Sequence, residues 1–364
     1  MTNDTHSVIE SWLENYPPLQ ETLDIDLGFC SCRVRSNSAE LLARLTTYFS
    51  SVVAKVANPT YIVTAIECEA PDLPSDFIDW KREPGKSGKK DSYVNLDKAR
   101  LIRKVRTGMV FYQSADMAIA MGPCLDNDNQ VINFINNQFM TWLQQNDALI
   151  CHAACAVREG EAYAVAGFSG GGKSTLMLEM LEQDGTTFLT NDRMFIKQTP
   201  AGVQANGIPK LPRINPGTIV NNKRLQPLLT DELRQIFLSL SKDELWELEQ
   251  KFDVDIDALY GEGRIQFEAP LKALLILNWS RHEQSDVALH QVNLRQRSDL
   301  LQAILKSPGP FYQSLDGEFI SDGYQADEEA YLAILDNIAV YEATGGVNFQ
   351  QLSALYLAVG QESL

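Results

Sequence analysis

Residues 162–181 read AYAVAGFSGGGKSTLMLEML, and this run constrains the fold more than any other part of the chain. A strand-like stretch of small apolar residues passes into a glycine-rich turn and then into a helix-forming segment. Gly167 to Ser174 fits the spacing G-x-x-x-x-G-K-[ST]. Glycines at such positions let the backbone adopt positive φ and turn its N–H groups inward, and the helix that starts at Lys173 adds the positive end of its dipole. The product is an anion nest. Gly167, Ser169, Gly170, Gly171, Gly172, Lys173, Ser174 and Thr175 are the expected nucleotide-binding residues. Lys173 is expected to reach the β- and γ-phosphates, and the Ser174 hydroxyl to coordinate Mg²⁺.

The flanks fit this reading. LICHAACAVREGEAYAVAG supplies strand before the loop, and TTFLTNDRMFIK supplies strand after the helix. Strand, loop, helix and strand make a phosphate-binding βαβ unit, in which the carboxyl ends of the strands line the ligand crevice. Asp192, at the end of FLTND, is thereby placed to hold the metal or accept a proton, and His152 sits on the strand before the loop.

Upstream, LDIDLGFCSCRVRS, SAELLARLTTYFSSVV and TYIVTAIECE read as strand, amphipathic helix and strand, followed by strand-like ARLIRKVRTGMVFYQS and MAIAMGP. These predict an N-terminal α+β domain at 1–126. A second domain at 127–364 would open on the amphipathic helix QVINFINNQFMTWLQQN. TDELRQIFLSLSKDELWELEQKF predicts two acidic helices, the second with a capping box from Ser241 to Glu244. LKALLILNWS predicts a buried strand, and SDLLQAILK and EEAYLAILDNIAVYEAT predict helices separated by the turn SPGPFY.

The 364 residues carry a formal net charge of −17, which argues against nucleic acid or an anionic membrane as partner. WKREPGKSGKKDSYVNLDKARLIRKVR runs against this balance and reads as a solvated loop entering a charged edge strand. The acidic N-terminus lacks the pattern of a signal peptide, and the apolar runs are too short for a membrane helix, so the expected location is cytoplasmic. Cys30/Cys32 and Cys151/Cys155 lack zinc-site spacing and read as reduced thiols on strands.

The run from CHAACAVREGEAYAVAGFSGGGKST to TFLTNDRMFIK resembles the catalytic domain of the HPr kinase/phosphorylase superfamily, in particular its HprK-related kinase B branch. The resemblance implies an α/β, P-loop, PEP-carboxykinase-like core, with His152 preceding the loop strand and a carboxylate pair ending the next strand. Here that pair is Asn191-Asp192, so one carboxylate survives. By the same resemblance Asp192 either serves as base, with Ser174 dominating the Mg²⁺ contact, or binds the metal while His152 assists the nucleophile; the first is favoured, because neutral Asn191 can still coordinate through its amide oxygen. Arg264, in YGEGRIQ, and Arg213, in NGIPKLPRINPGT, would stabilise charge on the transferred phosphoryl group. Residues 1–125 do not resemble the HPr kinase N-terminal domain.

The expectation is therefore an ATP- and Mg²⁺-dependent kinase acting on a hydroxyl of a protein serine or a small molecule, with the oligomeric state left open. Two alternatives stand beside it. One is a nucleotide-binding regulatory module weakened by loss of the second carboxylate; the other is an ATPase that drives a partner, with the acidic helices as its moving element.

Overall fold

The structure is a computed structural model that describes residues 9, 11–73, 76–81, 88–168, 170–248 and 250–359. It is a mixed α/β protein whose chain divides into two compact units. The first comprises Met1–Asn146 with Ser307–Gln325, and the second comprises Asp147–Lys306 with Ala326–Leu364.

In the first unit, β1 (Thr22–Asp26), β2 (Ser31–Ser36), β3 (Tyr61–Glu67), β4 (Ile78–Asp79), β5 (Asp91–Leu96), β6 (Ala99–Lys104), β7 (Val110–Ser114) and β8 (Ala118–Gly122) form one sheet. Its order is β1-β2-β3-β8-β7-β6-β5-β4. The β2–β3 and β3–β8 pairs are parallel. The helix Ala39–Tyr48 starts at Ser38, whose side chain accepts from the Leu41 N–H, the expected N-cap chemistry.

Two features depart from the sequence reading. The helix Asp128–Gln145 is part of the first unit rather than the opening of the second. Val131, Ile132, Phe134, Ile135, Phe139 and Met140 are buried along it, and Phe134 packs on Phe111 of β7. The segment 307–325 also returns to this unit. Phe311 packs edge-on against Phe111, while Arg100 donates to the Pro310 and Ile320 carbonyls. Arg100 itself is fully buried, stacked over Tyr93 and Phe319. The basic run therefore enters an inner strand, since β6 lies between β5 and β7. Its residues 82–87 lie outside the described residues.

The second unit contains β9 (Leu149–Cys151), β10 (Ala153–Arg158), β11 (Glu161–Gly167), β12 (Thr186–Thr190), β13 (Met194–Thr199), β14 (Gly202–Asn206), the two-residue pair β15 (Arg213–Ile214) and β16 (Phe252–Asp253), β17 (Glu268–Leu277), β18 (Ala288–Gln291) and β19 (Ala339–Thr344). The long strand β17 joins two sheet portions. Its start pairs antiparallel with β14, and its later part runs parallel to both β11 and β19.

Alternation along these strands divides the core into two layers. On β11, Tyr163 and Val165 belong to one apolar cluster, and Ala162, Ala164 and Ala166 to the other. On β17, Leu275 and Leu277 join the first, and Leu274 and Ile276 the second. A period of two with both faces covered is why these strands read as continuous apolar runs. The Cys151 and Cys155 thiols lie in the second cluster, where burial raises both pKa values.

The strand after the glycine-loop helix is not the immediate neighbour of β11. Antiparallel β10 lies between β11 and β12, so β11 and β12 point the same way across an intervening strand. The end of EEAYLAILDNIAVYEAT also departs from expectation. Its helix covers Glu328–Leu335, and AVYEAT becomes β19, paired with β17. An inner position beside β17 outweighs helix periodicity.

Candidate functional site

The site assembles where β11 ends. Gly167 closes the strand, and the helix Lys173–Leu181 begins immediately after Gly172. Gly172 has φ +93°, and a Cβ there would lie 2.6 Å from the Phe349 ring. Only glycine fits both the backbone and the space. Trp279, two residues beyond β17, donates from Nε1 to the Gly171 carbonyl at 2.9 Å, and its ring meets Phe349 edge-on at 5.0 Å. The loop is thus clamped from β17 and from the helix Phe349–Ala358.

Lys173 folds back over this turn. Its Nζ donates to the Gly167 carbonyl at 2.8 Å and the Phe168 carbonyl at 3.4 Å. Burial, with Lys306 and Lys251 as further cations, pushes its pKa down to about 8 despite the opposing Asp192 carboxylate. Thr175 Oγ1 and Thr218 Oγ1 share a hydrogen bond of 2.7 Å, which ties the first helical turn to the helix Pro216–Val220.

A pocket of about 750 Å³ opens in front of the loop. Gly170, Gly171, Gly172, Lys173, Ser174 and Thr175 line one side, and His152, Asn191, Asp192 and Arg213 line another. The expected acidic helices Asp231–Ser239 and Lys242–Glu247 both form, the second with its capping box at Ser241 and Glu244. They supply Phe237, Leu238, Lys242, Leu245 and Trp246 to the pocket wall.

Asp192 follows β12 in the turn before β13 and carries the densest charge network. His152 Nε2 lies 3.4 Å from Oδ1, and Lys306 Nζ donates to Oδ2 at 3.1 Å. Arg193 Nε stands 3.8 Å from Oδ2. Enclosure raises the carboxyl pKa, but the His152 bond and the Lys306 and Arg193 charges outweigh it and hold the pKa well below the carboxylate range. For His152, the Asp192 bond raises the pKa, while burial and the Lys306 and Lys173 charges prevail and lower it. The arrangement favours a neutral imidazole beside an ionised carboxylate.

Two sequence expectations change here. Arg264 is not among the residues lining the pocket. Its guanidinium donates to the carbonyls of Thr186 at 2.6 Å, Leu181 at 2.7 Å and Tyr260 at 3.4 Å. It caps the far end of the helix Lys173–Leu181, about 13 Å from the glycine loop at 1.5 Å per residue. Arg213 does line the pocket, but its Nε is paired with Asp253 Oδ1 at 3.0 Å. Ser169 lies outside the described residues.

Sequence reasoning missed Lys210 and Lys306. Lys210 lines the pocket, and burial together with the Arg193, Arg213 and Lys306 charges pushes its pKa down to about 7, against the pull of Asp192. Lys306 follows a segment whose backbone meets His152, whose N–H donates to the Ile304 carbonyl at 2.7 Å. Lys210 lies within NGIPKLPRINPGT, where the resemblance singles out only Arg213, and Lys306 belongs to no local motif.

No protein-family model matches the chain, and no curated protein matches it. Among solved structures it is similar to the Hpr(Ser) kinase/phosphatase from Coxiella burnetii, with 11% identity and a TM-score of 0.30, over 58% of this chain and 96% of that one. A likeness of that size carries no argument about function. Among the described residues, no helix is long and apolar enough to cross a membrane.

Proposed function

We propose that the second unit is a phosphotransferase that moves the γ-phosphoryl group of ATP to a hydroxyl acceptor. The observation that carries this reading is one pocket lined by the glycine loop, Lys173, Ser174, Asp192 and His152. An anion nest that held only a phosphate would need neither Asp192 nor His152.

In this reading the acceptor oxygen attacks the γ-phosphorus, the bond from that phosphorus to the β-phosphate oxygen breaks, and its electron pair leaves with ADP. The hydroxyl proton passes to Asp192. The carboxylate is a weak base, but in a loose transition state the proton leaves late, so positioning matters more than basicity. His152 fixes one carboxylate oxygen, and Lys306 fixes the other. Lys173 supplies positive charge for the phosphoryl oxygens, and Arg213 lines the same pocket.

Ser174, Asn191 and Asp192 are oxygen donors that suit a hard cation. Asn191 Oδ1 is buried and meets no hydrogen-bond donor among the described residues, as a residue awaiting a cation would. When bound, Mg²⁺ would neutralise phosphate charge.

The test is the fate of γ-labelled ATP with Mg²⁺, incubated with wild type or Asp192→Ala and with fractionated proteins and metabolites. Transfer of label by wild type alone supports the kinase. Tight, Lys173-dependent binding with label remaining on ATP overturns it. The latter result would favour the regulatory module, which Asn191 in place of a second carboxylate already makes the rival reading. Release of labelled phosphate without an acceptor would favour the ATPase.

A further inference from the structure

The cations of the pocket exceed what one nucleotide requires. Lys173, Arg193, Lys210, Arg213, Lys242 and Lys251 all line it, against the single carboxylate Asp192. The chain as a whole carries a net charge of −17, so this concentration opposes the global balance. Lys173 and the start of its helix serve the triphosphate in the proposed reading. Lys210 comes from the loop after β14, Arg213 from β15 and Arg193 from the turn beside Asp192, so they form a separate group.

Within that group the partners differ. Arg213 is paired with Asp253, and Arg193 faces Asp192. Lys210 is half-buried, and its ammonium has no hydrogen-bond or ion-pair partner among the described residues. Asp192, the one carboxylate of the lining, is already held by His152 and Lys306, so a partly buried ammonium without a bonded counterion is destabilised unless a ligand brings it an anion. The downward displacement of its pKa to about 7 reports the same strain. A neutral hydroxyl acceptor would leave this strain in place.

We infer that the acceptor site beside Asp192 is built for a small hydroxyl compound that carries its own phosphate monoester, with Lys210, Arg193 and Arg213 binding that phosphate. A dianion meets two guanidinium forks and one ammonium, the donor set suited to a tetrahedral phosphate. The inference rests on the phosphotransferase reading for the hydroxyl's fate, but the anion subsite stands on its own residues. A pocket of about 750 Å³, in the upper part of the roughly 300–1,000 Å³ range of ligand sites, leaves room beside a nucleotide.

The experiment titrates inorganic phosphate calorimetrically into the full chain saturated with Mg²⁺ and a non-hydrolysable ATP analogue, which fills the γ-phosphate position. Wild type should bind one phosphate, and in Lys210→Met the ratio of phosphate affinity to analogue affinity should fall at least tenfold. Phosphate excluded by the analogue, or bound equally well by Lys210→Met, overturns the inference, because the anion site would then be that of the γ-phosphate itself. If the analogue does not bind at all, the phosphotransferase reading fails separately. In that case phosphate titrated into Lys173→Met and into Lys173→Met/Lys210→Met decides: loss only in the double variant upholds the subsite, and equal binding sinks it.

Discussion

Lys306 Nζ donates to Asp192 Oδ2 at 3.1 Å across 114 residues of chain, so a lysine from a distant segment joins the His152 bond in lowering the pKa of the candidate catalytic carboxylate. Lys306 is the more enclosed partner, at 15% side-chain exposure against 45% for Asp192.

Lys306→Met should therefore raise the Asp192 pKa. With the carboxyl held low, the stability it contributes is present above the unfolded value of about 3.9 and is lost as pH falls through the lower folded value. In the variant this loss should begin at higher pH, with the acid limb of any phosphoryl-transfer profile moving in the same direction. Asp192 carboxyl titration by NMR checks the shift; an unmoved curve would show that His152 and Arg193 suffice.

Arg264→Ala should damage stability rather than chemistry. It frees the carbonyls of Leu181 and Thr186, at a cost of about 2–3 kcal/mol, or a fall in Tm of roughly 4–12 °C. Activity per folded molecule should change less than threefold. A large drop in kcat with unchanged Tm would restore Arg264 to the chemistry and contradict its position.

At Gly172, alanine meets two obstacles, φ +93° and the Phe349 ring. Gly172→Ala should weaken ATP binding at least tenfold, measured by calorimetry. Adding Phe349→Ala removes the steric obstacle but not the backbone strain, so rescue should be partial. Full rescue would mean that crowding alone selects glycine.

Lys210, with its pKa near 7, should be the first amine acetylated at pH 7, where an ordinary lysine of pKa about 10.4 is almost wholly protonated. Mass spectrometry against pH should give an apparent pKa near 7. Because its folded pKa is below its unfolded one, the unfolded chain binds more protons between about 7 and 10.4, and this group's contribution to stability rises with pH across that window. A modification profile with its midpoint near that of an ordinary lysine, about 10.4, would contradict the lowered pKa of Lys210.

By itself the sequence determined the local devices. The strand–glycine loop–helix run, the capping box at Ser241 and the Asp192 turn each depend on contacts a few residues apart, which periodicity and turn chemistry express directly, and the burial of β17 was legible in its continuous apolar run. The tertiary structure decided what depends on long-range pairing. It placed β10 between β11 and β12, made AVYEAT a strand by offering it a place beside β17, and gathered the helix Asp128–Gln145 and the segment 307–325 into the first unit through buried faces and Arg100. It also divided the arginines, sending Arg264 to a helix end and Arg213 to the pocket, and brought Lys210 and Lys306 to Asp192. A guanidinium or ammonium on a flexible stem carries no local pattern that announces its partner. Only the packed strands and the loops between them fix which anion it meets.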